Sequence, residues 1–325
     1  MNLHCPNCKK KGVNFIDNYK FEIKSDEKFI GNPKIYGCDD CRLFFANPMP
    51  DKEKLDKFYE TVYQAPGRDL YFKSYDDIKD NFKKDKNLNY LLYLTIFIDF
   101  KKIQNILEFG AGTGDLGYLI KKVFNHINLY SCEKDLKCLE ILKLRSYNNL
   151  TQLDNVNEKF DLIISLHNFH HLANLEIIPK LKKSLKKGGH LFFEVPNCEF
   201  DKNYINRSSD SPHLIFFTKL SWEKILILHG FKKINLSNSS YSINKCLHFM
   251  ESNKKRLYNW ELKPSNFSMQ KIKSLIKKIT PKPLLKIRKM ILNSNEYKDI
   301  SRPEYFVNNQ ENSWAIRGIL QKNSD

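Results

Sequence analysis

The sequence predicts an α/β protein: a mainly parallel sheet flanked by helices, with a small cysteine-built domain ahead of it. Three observations predict it. From Ile103 onward, short apolar runs alternate with helical patterns, as in strands joined by crossover helices. At the first strand-to-helix junction the chain reads Gly110-Ala111-Gly112-Thr113-Gly114, a backbone that lets a ligand approach closely. Near the N-terminus two C-x2-C pairs, Cys5-Pro6-Asn7-Cys8 and Cys38-Asp39-Asp40-Cys41, stand 29 residues apart.

Composition narrows the class. With 325 residues and 41% hydrophobic content, the chain can bury one generous core or a core plus a satellite domain, so disorder is not expected. The longest apolar run, Tyr90 to Ile98, stops at Asp99, whereas a membrane span needs about 20 residues. The opening Met-Asn-Leu-His-Cys-Pro lacks the charged-then-apolar order of a secretory signal, which points to the cytoplasm. In that compartment the paired cysteines argue for a metal and against disulfides. The net charge of +17 is compatible with an anionic partner, and with contact with a membrane surface, and says little more. Only 8 of the 54 basic residues are Arg, however, which lowers the nucleic-acid reading, since base readers rely on bidentate Arg.

Taken in order, residues 1–50 form the cysteine domain, with strand-like stretches at Val13–Ile16 and Lys34–Tyr36. Residues 51–100 read as a helical linker or lid. A helix capped near Asp51 carries Leu55, Phe58, Tyr59 and Val62 on one side; Tyr63–Tyr75 is irregular, and a second helix runs over Asp76–Phe100. Residues 101–250 are the main domain. Its strands fall at Ile103–Phe109, Leu129–Glu133, Phe160–Leu166, His190–Val195 and Lys233–Leu236, and its helices at Asp115–Phe124, Leu136–Leu144, Asn174–Lys187 and Thr218–His229. Residues 251–325 are a basic helical extension. Leu262–Asn295 holds nine Lys or Arg and no acid, with apolar residues at helical spacing, and Ala315–Leu320 reads as a strand returning to the sheet.

The glycine loop is the most informative stretch. Its helix N-terminus favours a negative group, and nineteen residues after Gly114 comes Glu133, placed to accept ribose hydroxyls. Gly112-Thr113-Gly114-Asp115-Leu116-Gly117 also fits the dinucleotide pattern, but that register sets the charge of Glu108 close to a pyrophosphate. The plainest alternative is a tight turn with no ligand. In the register Glu108-x-Gly110-x-Gly112-x-Gly114 the loop resembles motif I of class I S-adenosylmethionine-dependent methyltransferases. Phe160-Asp161-Leu162-Ile163-Ile164-Ser165 looks like that family's fourth strand, and Leu185-Lys186-Lys187-Gly188-Gly189-His190-Leu191 like its approach to the fifth. The resemblance covers roughly residues 80–240. It implies a Rossmann-like, mainly parallel seven-stranded sheet and S-adenosyl-L-methionine as cofactor. It also implies that Glu108 faces the sulfonium, directly or through water, that Glu133 holds the ribose, and that Asp154 contacts the adenine.

Four thiolates, Cys5, Cys8, Cys38 and Cys41, suffice to close a tetrahedral structural zinc site in a zinc-ribbon-like domain. Together with Leu43-Phe44-Phe45-Ala46-Asn47-Pro48-Met49-Pro50 and the domain that follows, they resemble bacterial methyltransferases with an N-terminal zinc domain, including sugar C-methyltransferases and enzymes of surface-polysaccharide clusters. That group carries His-x-x-Glu-His where this chain reads His167-Asn168-Phe169-His170-His171, and Glu-His at Pro212-His213. The resemblance implies catalytic roles for His167, His171 and His213, since imidazole can accept a proton near neutral pH. On a plainer reading His171 packs against the following helix and His170 is exposed. Absence of both family glutamates favours O-methylation of a small molecule or glycan, a sugar hydroxyl above all. The alternatives are sugar C-methylation and RNA methylation by an enzyme with a zinc knuckle.

Overall fold

The computed structural model describes residues 3–21, 26–63, 85–198, 212–239 and 315–323. They belong to one compact unit, Met1–Ser240 with Asn308–Asp325. The basic segment Leu262–Asn295, the irregular stretch after Tyr63 and the start of the helix expected at Asp76 lie outside the described residues.

The N-terminal strands β1 (Val13–Asn18), β2 (Lys34–Cys38) and β3 (Phe44–Asn47) pair antiparallel, with a short helix α1 (Glu27–Ile30) between the first two. Next comes α2 (Lys52–Thr61), whose Asp51 side chain accepts from the amides of Glu53 and Lys54 and so satisfies two orphan donors of the first turn. Leu55 and Phe58 form its buried side. The described part of the next helix, α3, is Asp85–Phe97.

The main sheet then begins. Strand β4 (Asn105–Phe109) leads to α4 (Asp115–Val123), β5 (Asn128–Cys132) to α5 (Leu136–Leu144), and β6 (Tyr147–Asn149) and β7 (Phe160–Leu166) follow. Leu162 and Ile163 are fully buried and Ile164 nearly so, as expected where helices cover both faces of a parallel strand. Helix α6 (Ile177–Ser184) is shorter than expected at both ends, because β8 (Leu185–Pro196) already starts at Leu185. The register slips between Phe160 and Leu162, and Gly188 adopts φ +72°, so Gly188-Gly189 lies inside an irregular strand instead of after a helix.

Strand β9 (Ile215–Phe216) leaves the main sheet and adds to β3, making a four-stranded sheet β1-β2-β3-β9. The cysteine region is thereby stitched to the main domain. Helix α7 (Lys219–His229) matches expectation: Thr218 and Ser221 cap it reciprocally and Gly230, at φ +62°, ends it. Strands β10 (Phe231–Ser239) and β11 (Ala315–Lys322) complete a seven-stranded sheet of order β10-β11-β8-β7-β4-β5-β6, in which β11 alone runs opposite to the other six strands. Strand β4 sits between β5 and β7, so the crossovers diverge there. In such sheets ligands bind in the crevice beyond the carboxyl ends of those strands. The chain leaves β4 into Gly110 and β7 into His167. No described helix is long and apolar enough to cross a membrane.

Candidate active site

Gly110, Gly112 and Gly114 all adopt left-handed φ, of +68°, +52° and +69°. Their surroundings differ. A Cβ on Gly110 would lie 2.2 Å from Asn168 Cγ, and one on Gly114 2.6 Å from Leu142 Cδ2; one on Gly112 would meet nothing within 4 Å. Two glycines are demanded by the protein itself, and the middle one borders open space. Gly112→Ala should therefore cost only about 1–2 kcal/mol of backbone strain, yet weaken S-adenosylmethionine by about tenfold or more as the methyl fills the cradle. Thermal melts and calorimetry on the same variant check this, and an unchanged affinity contradicts it.

Glu133, just past β5, turns toward this loop. Its Oε2 accepts from the Gly112 amide at 2.7 Å, and Oε1 accepts from Lys134 at 2.7 Å and Asp135 at 3.0 Å. Burial raises its pKa, and these amides oppose the rise.

Glu108 is placed differently from the expectation. It lies under the loop, 4% exposed, with Oε1 accepting from the Gly117 amide at 2.9 Å and Oε2 2.7 Å from the Tyr147 hydroxyl. Both oxygens are engaged inside the protein, so Glu108 braces the loop instead of lining the crevice. Burial pushes its pKa up from 4.5 to about 7. The folded state then holds this proton more tightly than the unfolded chain, so stability falls as pH rises from about 4.5 to about 7 and levels off above that. The span corresponds to roughly 3 kcal/mol. Glu108→Gln keeps an acceptor for Gly117 and should flatten this part of the profile. Urea melts of both proteins across that range measure the difference, and parallel profiles contradict it.

Sequence reading missed the groups that lock the loop from behind. The guanidinium of Arg145, 5% exposed, donates to Thr113 O at 2.5 Å and pairs with Asp115, while the Tyr147 hydroxyl also lies 2.8 Å from Gly114 O. Asp154 does not join this set. Its carboxylate is about half exposed and pairs with Lys180 at 2.5 Å, which lowers its pKa. The loop after β6 directs it to α6.

At the end of β7, His167 adopts φ +52°, unusual for a side-chain-bearing residue. Its amide donates to Glu194 O at 2.8 Å, and its Nε2 lies 3.1 Å from Glu194 Oε1. Tyr90 also donates to Glu194 Oε1, at 2.6 Å. Glu194 is completely buried and is balanced by Arg317, 1% exposed, whose Nε and Nη2 both lie 2.7 Å from Oε2. The two are direct cross-strand partners on β8 and β11. One signal could have revealed them: a carboxylate and a guanidinium, each inside an otherwise apolar strand, need a partner when buried.

His171 and His213 are brought together, but not with His167 alone. They converge on His170, whose ring lies 4.1 Å from that of His171 and 4.3 Å from that of His213. His170 is 3% exposed, against the exposed position read from sequence, because the single helical turn Phe169–His171 folds back under β9.

The four N-terminal cysteines also converge. Their sulfurs all lie within 4.8 Å of one another, with Cys5–Cys41 and Cys8–Cys38 at 3.5 Å. A tetrahedral Zn–S₄ centre has S···S edges of about 3.8 Å, so the set fits such an ion closely. The Cys5–Cys41 contact lowers the pKa of Cys41 and raises that of Cys5, so the two thiols share one proton between them.

A glycine loop at a topological switch point, a carboxylate just past the second main strand and a part-exposed His167 paired with the buried Glu194 stand at the carboxyl edge of a Rossmann-like sheet. Residues 64–236, just over half of the chain, match the family model described as "Methyltransferase domain". The chain belongs to that family. An uncharacterized methyltransferase of Anoxybacillus flavithermus is 32% identical over 114 residues, covering 32% of this chain and 50% of that protein. The chain thus matches half the length of this curated relative. Among solved structures it is similar to a SAM-dependent methyltransferase from Archaeoglobus fulgidus (14% identity, 77% of this chain and 100% of that one, TM-score 0.45). It is also similar to the O-methyltransferase of a trans-AT PKS multienzyme of Brevibacillus brevis in complex with S-adenosyl-L-homocysteine (15% identity, 81% and 83%, TM-score 0.42).

Proposed function

We propose that this protein transfers the methyl group of S-adenosylmethionine to a hydroxyl of a small anionic acceptor, foremost a sugar of a surface polysaccharide, with His167 as general base. The observation that carries this reading is the His167–Glu194 contact of 3.1 Å at the switch point, beside the glycine loop. S-adenosylmethionine, when bound, supplies an electrophilic methyl on a sulfonium. Gly112 and the amino end of α4 would hold its methionine part, and Glu133 its ribose.

The protein's own residues manage the proton. With Nε2 directed at Glu194, His167 carries its proton there and presents Nδ1 as the acceptor for the hydroxyl proton. Glu194 fixes that tautomer and stabilises the imidazolium once formed, as the carboxylate of a catalytic triad does. Arg317 supplies the countercharge to Glu194 within an apolar sheet.

Support for a glycan acceptor comes from the N-terminal cysteines and the Leu43–Pro50 stretch, which resemble those of glycan-modifying relatives, and from the charge of +17. One structural zinc on Cys5, Cys8, Cys38 and Cys41 is part of the same reading. Incubation with methyl-labelled S-adenosylmethionine and a panel of nucleotide-activated sugars, polysaccharide termini and RNA tests it. Label on a sugar oxygen is the expected result. Label on RNA, with none on any sugar, would replace this reading with the nucleic-acid one.

A further inference from the structure

We propose that His170, His171 and His213 form a second metal site, which takes a divalent transition ion on three imidazole nitrogens and leaves one position for an oxygen ligand. One ring nitrogen from each lies within 4.8 Å of the others, against about 3.4 Å in a filled tetrahedral set, a gap that small ring rotations close.

The cluster is built rather than incidental. Each backbone is pinned: His170 O accepts from the Leu214 amide at 2.7 Å, His171 O from the Tyr59 hydroxyl at 3.5 Å, and His213 O from the Tyr19 hydroxyl at 2.9 Å. His171 Nδ1 faces Pro212 O at 3.2 Å, the outer contact typical of a metal-bound imidazole, and this leaves Nε2 as its ligand atom. His170 Nδ1 is buried with no hydrogen-bond partner, so a ligand there would satisfy an otherwise orphaned polar atom.

Three imidazoles with no carboxylate suit zinc, iron, nickel or cobalt and disfavour magnesium and calcium. Tyr19 comes from the cysteine region and Tyr59 from α2, and β9, which pairs with β3, begins two residues after His213, so the N-terminal elements form a wall of this site. The His167 ring lies 6.3 Å from that of His170. An acceptor hydroxyl on the open position would be acidified close to the base. This use of the ion rests on the proposed hydroxyl chemistry; binding of the ion does not.

Saturating the reduced full chain with Co(II), with metal counted and absorption recorded, tests the site. Two equivalents per chain are expected: one with the intense near-ultraviolet bands of thiolate coordination, the other with only weak visible bands of nitrogen and oxygen ligands. In His213→Ala, which spares the buried His170 and His171, the second signature should vanish while the thiolate one persists. His170→Gln should lose it likewise. Absence of the weak-band signature from the wild-type protein, or its persistence in both variants, overturns the proposal. The thiolate signature reports separately on the cysteine site, and S-adenosylmethionine-dependent methylation on the proposed function.

Discussion

Replacing His167 with alanine is expected to lower kcat by about 10²–10⁴-fold, the usual worth of a positioned general base, with S-adenosylmethionine affinity nearly unchanged. Glu194→Gln should also depress kcat, because the amide can present the wrong hydrogen-bonding face to Nε2 and cannot stabilise an imidazolium. This second variant carries a structural penalty as well. It leaves Arg317 charged in an apolar sheet, and breaking a buried pair costs about 3–5 kcal/mol. The comparison separates the two effects: His167→Ala should lose rate and keep its melting temperature, whereas Glu194→Gln should lose both. Steady-state kinetics beside thermal melts provide the readout. A His167→Ala protein with unaltered kcat would remove this residue from the chemistry.

Loss of the proposed N-terminal zinc should give the second large effect. Cys41→Ser should abolish stoichiometric zinc on the thiolates and destabilise the protein by several kcal/mol, since metal binding and folding are coupled at such sites. Damage should spread beyond the first fifty residues. Cys5, Cys38 and Cys41 belong to the same hydrophobic cluster as Leu107, Ile163 and Trp222, and β3 pairs with β9 next to His213. Metal analysis and urea melts check this. Normal stability in a zinc-free Cys41→Ser protein contradicts it.

The alternation from Ile103 onward was legible because parallel strands and amphipathic helices leave distinct apolar periods, and β4, β5, β7 and β11 stand where those periods put them, whereas β8 begins at Leu185, inside the stretch read as helix. The glycine loop and Glu133 were legible because their spacing is local and their geometry strict. What escaped depends on contacts across long sequence separations. Glu194 and Arg317 are 123 residues apart, and His170 and His213 meet only because β9 crosses to the N-terminal sheet. Asp154 lies in a loop with no motif of its own, and Lys180 holds the carboxylate. Glu108 sat at the expected position, but Tyr147 and the Gly117 amide draw it beneath the loop, which no one-dimensional pattern encodes.

Calorimetric titration of the purified chain with S-adenosylmethionine, set beside NADH and repeated on Glu133→Ala, tests the central claim most directly. The expected result is saturable one-to-one binding of S-adenosylmethionine and none of NADH, with affinity falling about tenfold or more in Glu133→Ala as a charged hydrogen bond of about 1.5–3 kcal/mol is lost. Binding of NADH without binding of S-adenosylmethionine would contradict it.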